Sequence, residues 1–327
     1  MLVTGGAGYI GSHAAKALRA AGYRVTIYDN LSAGHRWAAL GGPLIEGDIR
    51  DVDGVRRALR DTGASAVMHF AAWLNVSESV TDPVGYYRNN VIGTLSTLEA
   101  MAAEACGRFV FSSTCAVYGE PVETPIRETH PTAPINAYGQ TKLAIEHALP
   151  HYERAWGLRS MRLRYFNAAG ADPDGELGEE HDPEIHAIPR ALEAATGGSE
   201  FKIMGDDYPT PDGTCLRDYI HVTDLADAHV RALRRLEAGG ASQSYNLGTE
   251  RPTSVLEVVA AVERVTGRTV ARSIAPRRPG DPAVLYAAAG RARDELGWVP
   301  ARPGIDSIVA DAWRWFQKSG RGTGGAR

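Results

Sequence analysis

Leu2-Val3-Thr4-Gly5-Gly6-Ala7-Gly8-Tyr9-Ile10-Gly11 begins as a short apolar strand and runs straight into glycines, and an amphipathic helix is predicted from Ser12 to Ala21. Glycines at 5, 8 and 11 between a strand and a helix fit a phosphate-binding turn. Without side chains the backbone can approach a pyrophosphate, and the helix N-terminus offers N–H groups and a positive dipole end. The next strand, Arg24 to Tyr28, ends at Asp29, about 20 residues on, the spacing of a carboxylate that binds a ribose 2′-hydroxyl. An acid there repels a 2′-phosphate, so NAD is favoured over NADP; Arg36 nearby reads as a surface residue.

Strand and helix continue to alternate, the pattern of a parallel sheet covered on both faces. Pro43 to Asp48 predicts a third strand, with Asp48 and Ile49 where an adenine could rest. Ala66 to Ala72 predicts a fourth, whose end at Phe70, Ala71 and Ala72 could pass close to a nicotinamide; His69 within it reads as a core histidine. Asn89-Asn90-Val91 is expected to cap and open a helix reaching Ala105. A fifth strand, Phe109 to Thr114, turns polar at Ser112, Ser113 and Thr114. Those hydroxyls sit at the C-terminal end of the strand, the end where open parallel sheets bind ligands.

Tyr138-Gly139-Gln140-Thr141-Lys142 puts a phenol and an ammonium one helical turn apart on one face. A nearby cation favours the phenolate, so Lys142 is expected to lower the pKa of Tyr138 and fit it for proton transfer near neutral pH.

The 327 residues, 44% hydrophobic and 23% charged, describe an ordinary soluble globular protein. A formal net charge of -4 offers no attraction to nucleic acid or an anionic membrane. Cys106, Cys115 and Cys215 are odd in number and widely spaced, which suggests neither disulfides nor a zinc site. No secretory signal and no membrane-spanning run is read, so a cytoplasmic location is expected. The stretch Ser319 to Gly325 lacks apolar periodicity and is expected to be disordered.

These runs, with Glu46-Gly47-Asp48-Ile49-Arg50, Tyr86 to Thr94, Val117-Tyr118-Gly119 and Arg164-Tyr165-Phe166-Asn167, resemble the extended short-chain dehydrogenases/reductases, specifically the UDP-glucose 4-epimerases. Asp206 to Thr210, Arg217-Asp218-Tyr219-Ile220-His221 and Tyr245-Asn246-Leu247-Gly248 extend the resemblance over nearly the whole chain. It implies an α/β fold: a Rossmann-type doubly wound parallel sheet with a smaller C-terminal α/β substrate-binding domain. Residues 1–166 would form the NAD-binding domain, to which 218–237 returns, and 167–327 the nucleotide-sugar domain. It further implies Tyr138 as the base on the sugar 4-hydroxyl, Lys142 as its partner and holder of the nicotinamide ribose, and Thr114 as a second group on that hydroxyl. NAD would be held by Gly5, Gly8, Tyr9, Ile10, Gly11, Asp29, Asn30, Ser32, Asp48, Ile49, Phe70, Ala71, Ala72, Asn89, Ser112, Tyr138, Lys142 and Tyr165. The nucleotide sugar would meet Thr114, Phe166, Asn167, His186, Lys202, Met204, Arg217, Arg278, Asp281 and Leu285. A homodimer through the helices after Asn90 and Tyr138 is also implied.

Related 4,6-dehydratases carry an Asp-Glu pair after the threonine, whereas Cys115-Ala116 here cannot perform that proton transfer. Asp172 to His186 is an acidic loop with two histidines whose spacing matches no standard ligand set, so no metal is assigned and a loop over the sugar is expected. Leu74 replaces a lysine usual near the diphosphate, beside bulky Trp73, and Leu285 stands where a large aromatic often narrows the sugar pocket. Both departures concern the substrate: another nucleotide sugar, such as a UDP-N-acetylhexosamine, is the alternative to UDP-glucose and UDP-galactose. A non-catalytic NAD-binding regulator is the reading from a different class.

Overall fold

The computed structural model describes residues 1–278 and 280–320. The first half runs β1 (Leu2–Thr4), α1 (Tyr9–Ala20), β2 (Thr26–Asp29), β3 (Leu44–Glu46), α2 (Val52–Thr62), β4 (Val67–His69), α3 (Val76–Thr81), α4 (Pro83–Tyr86), α5 (Gly93–Ala103), β5 (Arg108–Thr114), α6 (Ala137–Trp156) and β6 (Arg159–Tyr165). The second half adds β7 (Asn167–Ala169), α7 (Ala187–Ala195), β8 (Phe201–Met204), β9 (Leu216–Arg217), β10 (Tyr219–His221), α8 (Val222–Glu237) and β11 (Gln243–Leu247). It closes with β12 (Thr253–Ser254), α9 (Val255–Thr266), β13 (Arg272–Ala275), β14 (Val284–Leu285), α10 (Gly290–Leu296) and α11 (Ile305–Lys318).

Seven strands form one parallel sheet in the order β11-β6-β5-β4-β1-β2-β3. The chain winds outward through β2 and β3, then crosses back to β4 and winds the other way, so the switch point lies between β1 and β4. That is where ligands bind in such sheets. The central strands carry apolar pairs and runs, Leu2 and Val3 in β1, Val67 and Met68 in β4 and Phe109 to Phe111 in β5, as double coverage by helices demands. One core, with Val3, Ile27, Met68 and Val110, packs α1 and α8 on one face; another, with Leu2, Val67, Phe109 and Leu149, packs α2, α5 and α6 on the other. A third core joins α7, α9 and α11 under the small sheets of the second half.

Several local expectations change. Helix α1 begins at Tyr9, not Ser12, so its exposed N–H groups abut the glycine turn. Asn89 and Asn90 do not cap a helix. Asp82 caps α4 by accepting from Gly85 N at 2.9 Å, and residues Tyr87–Ile92 form a π-helical stretch that buries both asparagines. A π turn shifts the side-chain phase, the usual reason such turns mark functional places. Beyond the returning helix α8, the large sheet also takes β11, a strand that the sequence assigns to the second unit. Of the tail expected to be disordered, everything from residue 321 lies outside the described residues. Trp298 and Trp315 are both buried: the Trp298 indole N–H donates to Asp224 O at 2.9 Å, and Trp315 packs against Trp37 with ring centroids 5.2 Å apart.

Candidate active site

The glycine turn is shaped by close approach. Gly5 has φ +69°, and a Cβ there would lie 2.4 Å from Ala71 N, at the end of β4. A Cβ on Gly11 would lie 2.2 Å from Gly5 O. On Gly8 it would meet only Gly5 O at 3.5 Å, so that glycine leaves space for something other than protein. Asp29 Oδ2 accepts from Ala7 N and Oδ1 from Leu31 N, both at 2.9 Å, which buries the carboxylate against the turn while each oxygen keeps a second lone pair. Beside it, Asn30 Oδ1 accepts from Ser32 N and Oγ. Asn30 Nδ2 reaches Asp48, whose carboxylate is chelated by Arg50 at 2.6–2.9 Å and held down to about 2. Ile49 is buried there. This cleft of open backbone N–H groups with an acid at the end of β2 fits a dinucleotide whose ribose keeps its 2′-hydroxyl. Tyr9 faces elsewhere: its hydroxyl donates to Gly170 O at 2.6 Å, leaving its backbone N–H for the cleft.

At the end of β4, Phe70 packs against His229 at 4.8 Å. His69 is a satisfied core histidine, between Thr4 Oγ1 at 2.8 Å and Thr94 Oγ1 at 3.0 Å. Asn89 donates to Asn90, and Asn90 in turn holds Trp73 N, Trp73 O and Thr141 Oγ1. The asparagines thus tie the chain after β4 to α6, a role the sequence pattern did not signal.

Helix α6 is capped by Asn136, which accepts from Gly139 N at 2.8 Å, and it carries Tyr138, Lys142 and Glu146 along one face. Tyr138 is half-buried as a residue, yet its phenol end is enclosed beside Thr114 at the end of β5. Lys142 Nζ donates to Ser112 O at 2.8 Å and lies 6.0 Å from the Tyr138 ring. Ser112 Oγ contacts the Tyr165 hydroxyl. The expectation that the ammonium lowers the phenol pKa is corrected. Burial pushes Tyr138 well up, with its Thr114 hydrogen bond acting the other way, and burial also drives Lys142 down to about 7. In a poorly polarisable interior the charged forms of both groups lose more hydration than a partner 6.0 Å from the ring returns.

Lys142 therefore binds its proton more weakly folded (about 7) than unfolded (10.5), and between those values the unfolded chain holds the extra proton. Its contribution to stability is poorest below pH 7 and improves as pH rises to about 10. Lys142→Met should unfold at a higher temperature than the native chain at pH 7, and the gap should narrow by pH 10. Thermal melts at both pH values check this; a constant gap contradicts it.

Beneath this pair lies a network not read from the sequence. Glu146 receives Arg164 Nε at 2.9 Å and a hydrogen bond from Ser113, and Arg164 Nη1 donates to the Tyr118 hydroxyl at 2.9 Å. The available signal was position 146, one more turn along the face of Tyr138 and Lys142.

In the second half, β9 pairs with β12 and β14, which sets Leu285 beside Arg217. Arg217 ion-pairs with Asp281, and Asp281 N bonds Arg278 O at 3.2 Å, so these three residues converge. Phe166 is buried, and Asn167 N binds Asp218 O at 3.0 Å, joining β7 to β10. Lys202 and Met204 share the outer face of β8, where Lys202 is engaged with Glu200 at 2.6 Å and Ser273 at 2.7 Å. His186 contacts Glu179 and lies with His181 rather than with Arg217. Trp73 and Leu74 are partly exposed.

The description "NAD dependent epimerase/dehydratase family" matches residues 1–248. The chain is 52% identical over 320 residues to the UDP-glucose 4-epimerase of Rhizobium leguminosarum bv. trifolii, covering 98% of each. Its structure is similar to that of the Brucella ovis UDP-glucose 4-epimerase in complex with NAD, with TM-score 0.94, 51% identity, and 96% and 97% of the chains covered. It is also similar to the Bifidobacterium longum UDP-glucose 4-epimerase in complex with NAD+ and UDP, with TM-score 0.93, 39% identity, and 98% and 99% covered.

Proposed function

The chain belongs to the NAD dependent epimerase/dehydratase family, and we propose that it interconverts UDP-glucose and UDP-galactose as an NAD-dependent 4-epimerase. The observation that carries the choice of chemistry is the group after Thr114. Burial pushes the Cys115 thiol up to about 12, and Ala116 has no ionisable group, so no acid–base pair for eliminating water stands beside Tyr138.

Gly5 to Gly11 and Asp29 would hold NAD+, which would supply a hydride acceptor that is regenerated within the cycle. Thr114 and Tyr138 hold the sugar 4-hydroxyl, and Tyr138 takes its proton as a 4-keto sugar forms. Lys142, one turn along α6, offsets part of the burial that disfavours the phenolate whenever it carries its proton, and it holds the Ser112 carbonyl beside the pair. After the 4-keto sugar turns over in the pocket, Tyr138 returns the proton to the oxygen in the opposite configuration. Arg217 and Arg278 face the diphosphate, Arg217 with the planar fork suited to two phosphate oxygens. Asp281 then serves the nucleotide ribose, and Phe166, Asn167 and Met204 line the nucleotide side. Thr114, Tyr138 and Lys142 are all retained together, which argues against a non-catalytic regulator.

Leu285 beside Arg217 favours a second substrate: a half-buried aliphatic there leaves room for an N-acetyl group. A panel of UDP-galactose, UDP-glucose and UDP-N-acetylglucosamine checks both readings. Turnover of UDP-galactose is expected, and its absence refutes the proposal. A homodimer is supported by exposed apolar side chains at Val84, Tyr87, Ile92 and Trp156, near the helices after Asn90 and Tyr138. Among the described residues no helix is long and apolar enough to cross a membrane. A cytoplasmic location is supported by three buried free cysteines, which a reducing compartment preserves.

The glycine turn gives a sharper test. Gly8→Ala should fold with an unchanged melting temperature but retain much less NAD, because its Cβ enters the ligand's space. Gly11→Ala should lose stability as well, since its Cβ collides with Gly5 O at 2.2 Å. Cofactor content after desalting, beside thermal melts, separates the two effects; equal melting temperatures for both variants would contradict the geometry.

A further inference from the structure

Away from the catalytic pair, the loop 172–186 meets the glycine turn through a cluster of two carboxylates and two imidazoles. Glu179, His181, Glu184 and His186 each place one ligand-capable atom within 4.8 Å of the others. His181 Nδ1 lies 3.1 Å from Glu179 and 3.7 Å from Glu184, and His186 Nδ1 lies 4.0 Å from Glu184 and in direct contact with Glu179. A tetrahedral ion with bonds of about 2.0–2.1 Å has edges of about 3.3 Å between its ligands. The observed separations straddle that length.

We propose that Glu179, His181, Glu184 and His186 form a binding site for one divalent cation of the zinc class, clamping the loop 172–186 onto the glycine turn. With both imidazoles neutral the two carboxylates carry a charge of about −2, which a divalent ion cancels in place of the imidazole protons. Both carboxylate side chains are under 5% exposed. A set of two nitrogen and two oxygen donors suits zinc better than magnesium or calcium, which prefer oxygen alone.

The surroundings fit. Ile185 N and His186 N both donate to Glu184 Oε1, at 2.9 and 3.0 Å, and fix the direction of its carboxylate. A cavity of about 570 Å³, lined by His181, Glu184, Glu180 and Asp182, gives an entry path, with Arg190 at its rim. The cluster sits at a seam: the His181 ring stands edge-on to Tyr9 at 6.4 Å, Glu180 O accepts from His35 at 3.1 Å, and Glu179 O from Trp315 at 3.1 Å. An ion here therefore ties the glycine turn, the segment after β2 and α11 together.

The same four side chains also neutralise one another with protons. Burial opposes it, but Glu179 and Glu184 lift His181 to about 9; burial would raise Glu179, yet His186 and His181 hold it down to about 2.

The test strips the full-length protein with EDTA, adds one equivalent of ZnCl2, desalts it and counts zinc per chain by mass spectrometry. About one zinc per chain is expected, with a higher melting temperature. CoCl2 in place of zinc should give the visible absorption of a four-coordinate cobalt(II) site in the wild type. His181→Ala and Glu184→Gln, shown folded by circular dichroism, should weaken zinc binding at least about tenfold. Wild type that retains no zinc and shows no cobalt spectrum would overturn the site, as would variants that retain as much zinc as wild type.

Discussion

Tyr138→Phe should lose most turnover of UDP-galactose, on the order of 10²–10⁴-fold in kcat, while NAD remains bound. The substitution removes one hydroxyl and with it the proton acceptor of the proposed reaction, a contribution of that size when general base catalysis is deleted. It leaves the ring in place on α6 and leaves Lys142 on the Ser112 carbonyl at 2.8 Å. The nucleotide cleft around Gly5 to Asp29 is untouched. A coupled assay of UDP-galactose consumption, with NAD released by acid and counted, reads both effects. Turnover within tenfold of the native chain would refute Tyr138 as the base. Thr114→Val is a useful companion: it keeps the shape but removes the hydrogen bond that opposes the rise of the Tyr138 pKa.

Glu146→Gln should be the most destabilising conservative change near the site. Arg164 and Glu146 are 9% and 4% exposed and bound to each other. Removing the carboxylate strands a buried guanidinium, a loss of roughly 3–5 kcal/mol, or on the order of 10 °C in Tm. The charge of Glu146 also supports the protonated form of Lys142, which burial otherwise drives down to about 7, so Lys142 should deprotonate more easily in the variant. Removing both partners, as Glu146→Leu with Arg164→Met, should recover much of the stability because no unpaired charge remains. Thermal melts of the three proteins decide it; a single Gln variant as stable as the native chain would show that the pair contributes nothing.

The cofactor side of the molecule is largely legible in the sequence. Glycines 5, 8 and 11, the strand ending at Asp29, and the hydroxyls closing β5 are local patterns, and the backbone obeys them because turns and strand ends impose their requirements within a few residues. The substrate side is less so. Arg217, Asp281 and Leu285 do converge, but Lys202 is engaged with Glu200 and Ser273, and His186 with Glu179. Those partners are chosen by how β8, β13 and the loop 172–186 pack, which no short window of sequence encodes.

Local pattern was enough to specify the order and period of the elements: an alternating α/β chain, a glycine turn with its acid, and Tyr138 and Lys142 one helical turn apart. How those groups are charged, and what supports them, came only with folding in three dimensions. Folding set burial against the Lys142 ammonium, placed Arg164 on Glu146 under the pair, turned Asn90 inward through a π-helical stretch, and drew Glu179, His181, Glu184 and His186 into one cluster. Periodicity acts between neighbours along the chain, whereas hydration loss and ion pairing depend on every atom that folding brings near.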